Sequence, residues 1–322
     1  MTTADRHAGT PISTITPTPT PTGTATTPPA LLATCWTTAG TALPYAGHSR
    51  SPIPLEQRVA AAADGGWQGF GLVHEDLVAY LERRTLADLT RLLDDHGIVH
   101  RELELIEDWW CDAAGDPERT AASERVQREL FTAAEAIGAQ TVKVGPETQG
   151  RPVEHARFVQ AFGALADRAA EHGTRVAYEF LPFATHAPAL SDGIALVTEV
   201  GHPAGGLCVD IWHVARPGTD YGLIERELPG EYIFSVELND AAPEIVGDLF
   251  ADTVHRRRLP GAGSFDVPAF IRAIRATGFD GPWGVEILSD HHRTLPLERA
   301  LRDTREATLA AFAAADAAPA LP

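Results

Sequence analysis

The chain has little sulfur: three cysteines and one methionine in 322 residues. Cys35, Cys111 and Cys208 stand far apart without C-x-x-C spacing, which argues against a disulfide framework, a zinc ribbon or a dithiol redox pair. No apolar run approaches the roughly 18 residues that a membrane span needs, so no membrane partner is expected. Residues 1–10 lack the apolar core of a secretory signal, and a cytoplasmic location is the expectation. Positive charge is also scarce. Lys and Arg together number 26 against 44 Asp and Glu, a net charge of −18. That charge repels a phosphate backbone, so nucleic acid is not an expected partner.

What is present divides the chain unevenly. Residues 1–30 hold eleven Thr and six Pro; alternating Pro removes amide donors and little can be buried, so a disordered arm is expected there. Residues 31–314 then read as one catalytic domain, and residues 315–322 as a flexible tail. Apolar strand patterns cover Leu31–Trp36, Gly69–Val73, Ile98–Leu105, Gln140–Val144, Arg175–Phe180, Gly206–Ile211, Tyr232–Leu238 and Trp283–Leu288. Helical patterns alternate with them, from Leu55–Ala63 to a closing Leu297–Ala313. Gly97, Gly138, Gly173, Gly201 and Gly278 are placed to end helices in left-handed caps. Eight strands alternating with eight helices over about 250 residues are the arithmetic of a (β/α)8 TIM barrel. The competing doubly wound sheet lacks a G-x-G-x-x-G after its first strand.

A TIM barrel places its chemistry at the C-terminal ends of its strands. The last four predicted strands each end in a carboxylate set in apolar sequence: Glu179, Asp210, Glu237 and Glu286. Four such acids are expensive to desolvate and repel one another, so a divalent cation is the economical explanation. An all-carboxylate shell favours Mn2+ or Mg2+, with Co2+ or Zn2+ as further candidates. Neither Cys111 nor Cys208 reads as a ligand. Glu102, Glu104 and Glu107 alternate along the third strand, and Glu104 is the one expected at the mouth. His74 and Trp36 end their strands as substrate-side candidates, and Lys143 is placed to contact an anionic substrate.

The segments Val209-Asp210-Ile211-Trp212-His213, Val236-Glu237-Leu238-Asn239-Asp240, Arg258-Leu259-Pro260-Gly261-Ala262-Gly263 and Gly284-Val285-Glu286 resemble the sugar phosphate isomerase/epimerase family. These are xylose isomerase-like TIM barrels, which include ketose 3-epimerases, inosose dehydratases, 3-dehydroshikimate dehydratases and, more remotely, endonuclease IV. The resemblance covers Leu31 to Phe312. It implies that Glu179, Asp210 and Glu286 ligate a metal, and that Glu237 stands where the family usually has His or Gln. His213 is implied to polarise a substrate oxygen, and Arg258 to bind a hydroxyl, carboxylate or phosphate. Gly261 and Gly263 read as shaping a loop and Asp266 as a helix N-cap.

The expected activity is metal-assisted enolisation of a sugar, sugar phosphate or related polyhydroxy ketone, with Glu179 and Glu286 as acid and base. Proton return to the opposite face gives epimerisation, return to the neighbouring carbon gives isomerisation, and loss of a β-hydroxyl gives dehydration. The dehydratase of a cyclitol or 3-dehydroshikimate-like keto acid is the alternative. A phosphodiesterase of endonuclease IV type and a non-catalytic barrel partner rank below both. The expected ligand is a small polyhydroxylated carbonyl compound. A homodimer through the outer helices is compatible with a barrel, although no residue marks an interface.

Overall fold

The computed structural model describes residues 28–45 and 49–317. Most of the Thr/Pro arm and residues 318–322 lie outside the described residues.

Eight parallel strands close into a barrel. They are β1 (Leu31–Ala33), β2 (Gly69–Val73), β3 (His100–Ile106), β4 (Thr141–Val144), β5 (Arg175–Glu179), β6 (Gly205–Asp210), β7 (Ile233–Leu238) and, last in the chain, β10 (Trp283–Val285). β10 lies between β7 and β1, so the order around the barrel follows the chain. The eight-fold βα reading of the sequence is therefore the observed architecture. Between β7 and β10 a two-residue antiparallel ladder pairs β8 (Asp240–Ala241) with β9 (Arg257–Arg258).

Alternation along each strand divides the side chains. Val142 and Val144 of β4, Val176 and Tyr178 of β5, and Leu207 and Val209 of β6 join the main apolar core with the surrounding helices. The opposite parity is small or charged: Ala177 and Cys208 form a separate cluster with Phe234, while Lys143, Glu179, Asp210 and Glu237 are buried beside them. Barrel interiors are commonly filled by bulky branched residues. Here, small side chains leave room for ions.

All five glycines expected to cap helices have positive φ, between 59° and 86°. The final helix, Leu297–Ala317, continues four residues past the expected end, with Ala315 buried, so residues 315–317 belong to the helix rather than to a tail. Several short helices escape the periodicity. Cys35–Thr38 replaces the end of the first expected strand, and His74–Leu81 begins directly at the end of β2. The helix Leu249–His255 is capped by Asp248, whose carboxylate accepts from the Ala251 amide at 2.7 Å. Such segments are too short to show a 3.6-residue period. No described helix is long and apolar enough to cross a membrane.

Candidate metal centre and cavity

Four neighbouring strands deliver the acids. Asp210 and Glu237 are paired residues of β6 and β7, Gly284 pairs with Glu237, and Glu286 follows β10 directly. Gly284 allows the approach, because a Cβ there would stand 2.7 Å from the Val236 carbonyl and 3.2 Å from Glu237 Cγ. One ligand atom from each of Glu179, Asp210, Glu237 and Glu286 lies within 4.8 Å of the other three.

The chain's single lysine stands at this cluster. Lys143 is fully buried, and its Nζ lies 2.5 Å from Glu104, 2.7 Å from Glu237, 3.4 Å from Glu286 and 3.9 Å from Glu179. Burial opposes its charge, but the surrounding carboxylates outweigh burial and hold the ammonium well above its usual pKa. Lys143 does not line the cavity, so it is a counter-ion of the floor rather than the expected contact to an anionic substrate.

Arg257 supplies the second cation. Its Nη1 lies 2.5 Å from Asp210 and 2.9 Å from Glu286, while Nε and Nη2 donate to Thr253 Oγ1. Arg258, the expected anchor, is exposed and donates to the Ala262 carbonyl at 3.1 Å. The correction follows from the ladder: neighbours in a strand face opposite sides, and Arg257 is the one turned inward. Within a run of three arginines, sequence offered no means of choosing between them.

The loop after β9 is built around Asp240, whose carboxylate accepts from the amides of Gly261, Gly263 and Phe265 at 2.8–3.1 Å. A side chain at Gly263 would collide with Asp240 and the Ala241 carbonyl at 2.2 Å. These glycines serve the loop, as expected, and Asp266 caps the next helix by accepting from the Ala269 amide.

The cluster carries more negative charge than its side-chain cations offset. Burial pushes Glu102 up to about 7 and Glu286 up to about 8, and burial together with Glu286 holds Glu237 well above the carboxylate range. Glu179 moves the other way, to about 2: burial is outweighed by Lys143, His213 and Arg257. His213 Nε2 is 3.2 Å from Glu179 Oε1 and 3.6 Å from Asp210, while its Nδ1 is buried without a partner.

A divalent ion fits these residues. Glu237 Oε2 is buried and unpartnered beside three other carboxylates. Counted formally, Glu102, Glu104, Glu179, Asp210, Glu237 and Glu286 face two cations, Lys143 and Arg257, an excess that a divalent cation would reduce. Cys208 also reaches the cluster, with Sγ within 4.8 Å of ligand atoms from Glu179 and Glu237, contrary to the expectation from sequence. Burial holds its thiol well above the usual pKa.

Above the acids a cavity of about 530 Å3 opens at the C-terminal mouth. Glu104, Glu179, His213 and Glu286 line it, as do Trp36 and His74. His74 Nε2 is 2.6 Å from Glu129. Glu102 is instead buried below, accepting from Ser235 Oγ at 2.6 Å. The register of β3 shifts between Leu103 and Ile106, and Glu107 also faces the cavity. Sequence missed its aromatic wall, Tyr45, Phe183 and Phe250, which comes from connecting loops and a short helix without periodicity.

A closed parallel barrel with strand-end acids defines the class, and the chain belongs to the xylose isomerase-like TIM barrel family, whose pattern it matches over residues 59–310. It is 27% identical over 256 residues to a 3-dehydroshikimate dehydratase of Pseudomonas putida, covering 77% of this chain and 38% of the relative. The chain thus spans less than two fifths of that relative's length. An inosose isomerase of Bacillus velezensis is 27% identical over 146 residues, covering 45% of this chain and 50% of the relative. Among solved structures, the IOLI protein with a binding zinc atom superposes with a TM-score of 0.76 at 18% identity, covering 90% of this chain and 100% of that one.

Proposed function

We propose that the protein is a divalent-metal-dependent enzyme that enolises a polyhydroxylated ketone, with isomerisation or epimerisation as the outcome. The observation that carries the reading is the convergence of Glu179, Asp210, Glu237 and Glu286 on one point beneath an open cavity, with a buried Glu237 oxygen unpartnered. Glu179, Asp210, Glu237 and Glu286 would hold the ion, which would supply a Lewis acid for the substrate's carbonyl and neighbouring hydroxyl oxygens.

The chain's own residues supply the proton chemistry. Glu179 ends β5, Glu286 follows the non-adjacent strand β10, and both line the cavity. One carboxylate removes the proton α to the carbonyl; the C–H electron pair forms the C=C bond of an enediolate and the carbonyl oxygen takes the charge. Return of a proton from the opposite carboxyl to the other face inverts the carbon, and return to the neighbouring carbon moves the carbonyl. His213 Nε2 lies 3.2 Å from Glu179 Oε1 and orients that carboxylate when it carries the proton. His213 also lines the cavity. Trp36, His74 and Glu104 form part of the substrate wall.

Dehydration is the second reading, favoured by the similarity to the Pseudomonas enzyme. It shares the enediolate and differs in expelling a β-hydroxyl. Incubation with Mg2+ or Mn2+ and a panel of ketoses, inososes and keto acids, followed by product NMR, distinguishes the outcomes. A metal-loaded protein that turns over none of them contradicts the proposal.

A further inference from the structure

The charge and hydrogen-bonding character of the cavity wall specify the substrate further. We infer that the cavity takes an uncharged, hydroxyl-rich ketone and discriminates against carboxylated and phosphorylated ones; this rests on reading the cavity as the substrate site of an enolising enzyme.

Six carboxylates line the cavity: Glu75, Glu104, Glu107, Asp108, Glu179 and Glu286. An anionic ligand needs a cation with donors to spare, commonly an arginine fork. Among the described residues, Arg257 is the one Arg or Lys of the lining. Its guanidinium is 1% exposed and already committed to Asp210, Glu286 and Thr253. Of the described lining histidines, His74 pairs with Glu129, and His213 turns Nε2 to Glu179 while its Nδ1 is buried. Lys143 is enclosed among carboxylates below the floor. Arg119, beside the mouth, is divided between Asp108 and Glu147.

A bound divalent ion does not reverse this balance. Its two charges, with Lys143 and Arg257, would balance Glu179, Asp210, Glu237 and Glu286 and leave Glu104 in excess. Glu75 and Glu107 remain on the wall without a cationic partner among the described ion pairs. A phosphate or carboxylate entering here meets like charge in a partly desolvated space.

The same wall suits hydroxyl groups. Ionised carboxylates only accept hydrogen bonds, so the complementary ligand is rich in donors. Aromatic rings share the lining with these acids: Phe250 lies 5.7 Å from Tyr45 and 5.9 Å from Phe183 between ring centroids, and the Tyr45 hydroxyl donates to Glu107 at 3.1 Å. Rings of this kind pack against the C–H face of a carbocycle or pyranose while the edge hydroxyls turn to the acids.

The test is calorimetric titration of the Mg2+-loaded protein with uncharged fructose and inosose, and with anionic fructose 6-phosphate and 3-dehydroshikimate. Deuterium incorporation is followed by NMR on the same samples. The uncharged compounds are expected to bind about tenfold or more tightly than the anions, and added salt to narrow the gap by screening. An anion that binds as tightly as the uncharged compounds overturns the inference, and so does failure of both uncharged compounds to bind. An anion that binds and exchanges overturns it while leaving enolisation in place. Uncharged ligands that bind without exchange uphold it and count against enolisation.

Discussion

Lys143 Nζ lies 2.7 Å from Glu237 Oε1, with both side chains completely buried. The pair explains how a carboxylate serves where the resembled family usually has a neutral His or Gln. Glu237 would bring an extra negative charge to the proposed ligand set, and the chain's one lysine, three strands away on an interior position of β4, would offset it.

Removing one partner of such a pair leaves a buried charge uncompensated, which costs about 3–5 kcal/mol. Lys143→Met is therefore expected to destabilise the protein by an amount in that range in urea denaturation. Lys143→Met combined with Glu237→Gln should cost less than Lys143→Met alone, with incomplete recovery because Glu104 also faces Lys143. Strict additivity of the two substitutions would contradict the pairing.

Two adjacent arginines should behave differently. Arg257→Ala removes the contacts to Asp210 and Glu286, and a loss of about 3–5 kcal/mol with little remaining activity is expected. Arg258→Ala touches an exposed side chain and should stay within about 0.5 kcal/mol of the parent. Thermal unfolding and turnover measured on both variants check the assignment, and equal effects would undo it.

The metal-free protein should lose stability as pH rises. Glu102 and Glu286 are raised to about 7 and about 8 from 4.5. Between the unfolded and folded values the folded protein holds protons that the unfolded chain has released, so stability falls with increasing pH. His292, held below 6.5 by burial, acts in the opposite sense only at lower pH. The Tm of EDTA-treated protein is thus expected to fall from about pH 6.5 to about pH 8. Excess Mg2+ should flatten or reverse the slope, because the deprotonated carboxylates are the ligands. A Tm that climbs over this interval without metal speaks against the burial of these acids.

The loop that carries Arg257 depends on one carboxylate. Asp240→Ala removes the acceptor of the Gly261, Gly263 and Phe265 amides. A loss of about 1–3 kcal/mol is expected, with faster proteolysis between residues 258 and 266. Unchanged protease resistance would show that Asp240 does not hold the loop.

The barrel was legible in the sequence because its βα units repeat the same signals: an apolar strand, an amphipathic helix and, in five of them, a left-handed glycine cap. The strand-end acids Glu179, Asp210, Glu237 and Glu286 were legible for a related reason, since a carboxylate inside an apolar strand stands out against its neighbours. Lys143 was visible, but its role was not. That role is set by Glu104 and Glu237, carried on β3 and β7, and only closure of the barrel brings them together. Arg257 was hidden by two flanking arginines and a two-residue ladder too short to show alternation. The aromatic wall of Tyr45, Phe183 and Phe250 is assembled from loops and a short helix, for which no periodic rule applies.

Solvent-proton exchange tests enolisation most directly. In D2O with Mg2+ and an uncharged ketose or inosose, the wild-type protein should incorporate deuterium at the carbon next to the carbonyl. The Glu179→Gln variant, with its fold intact by circular dichroism, should lose this exchange by about a hundredfold or more. Exchange undiminished in Glu179→Gln, with full metal content retained, would contradict the role assigned to Glu179 and the enolisation built on it.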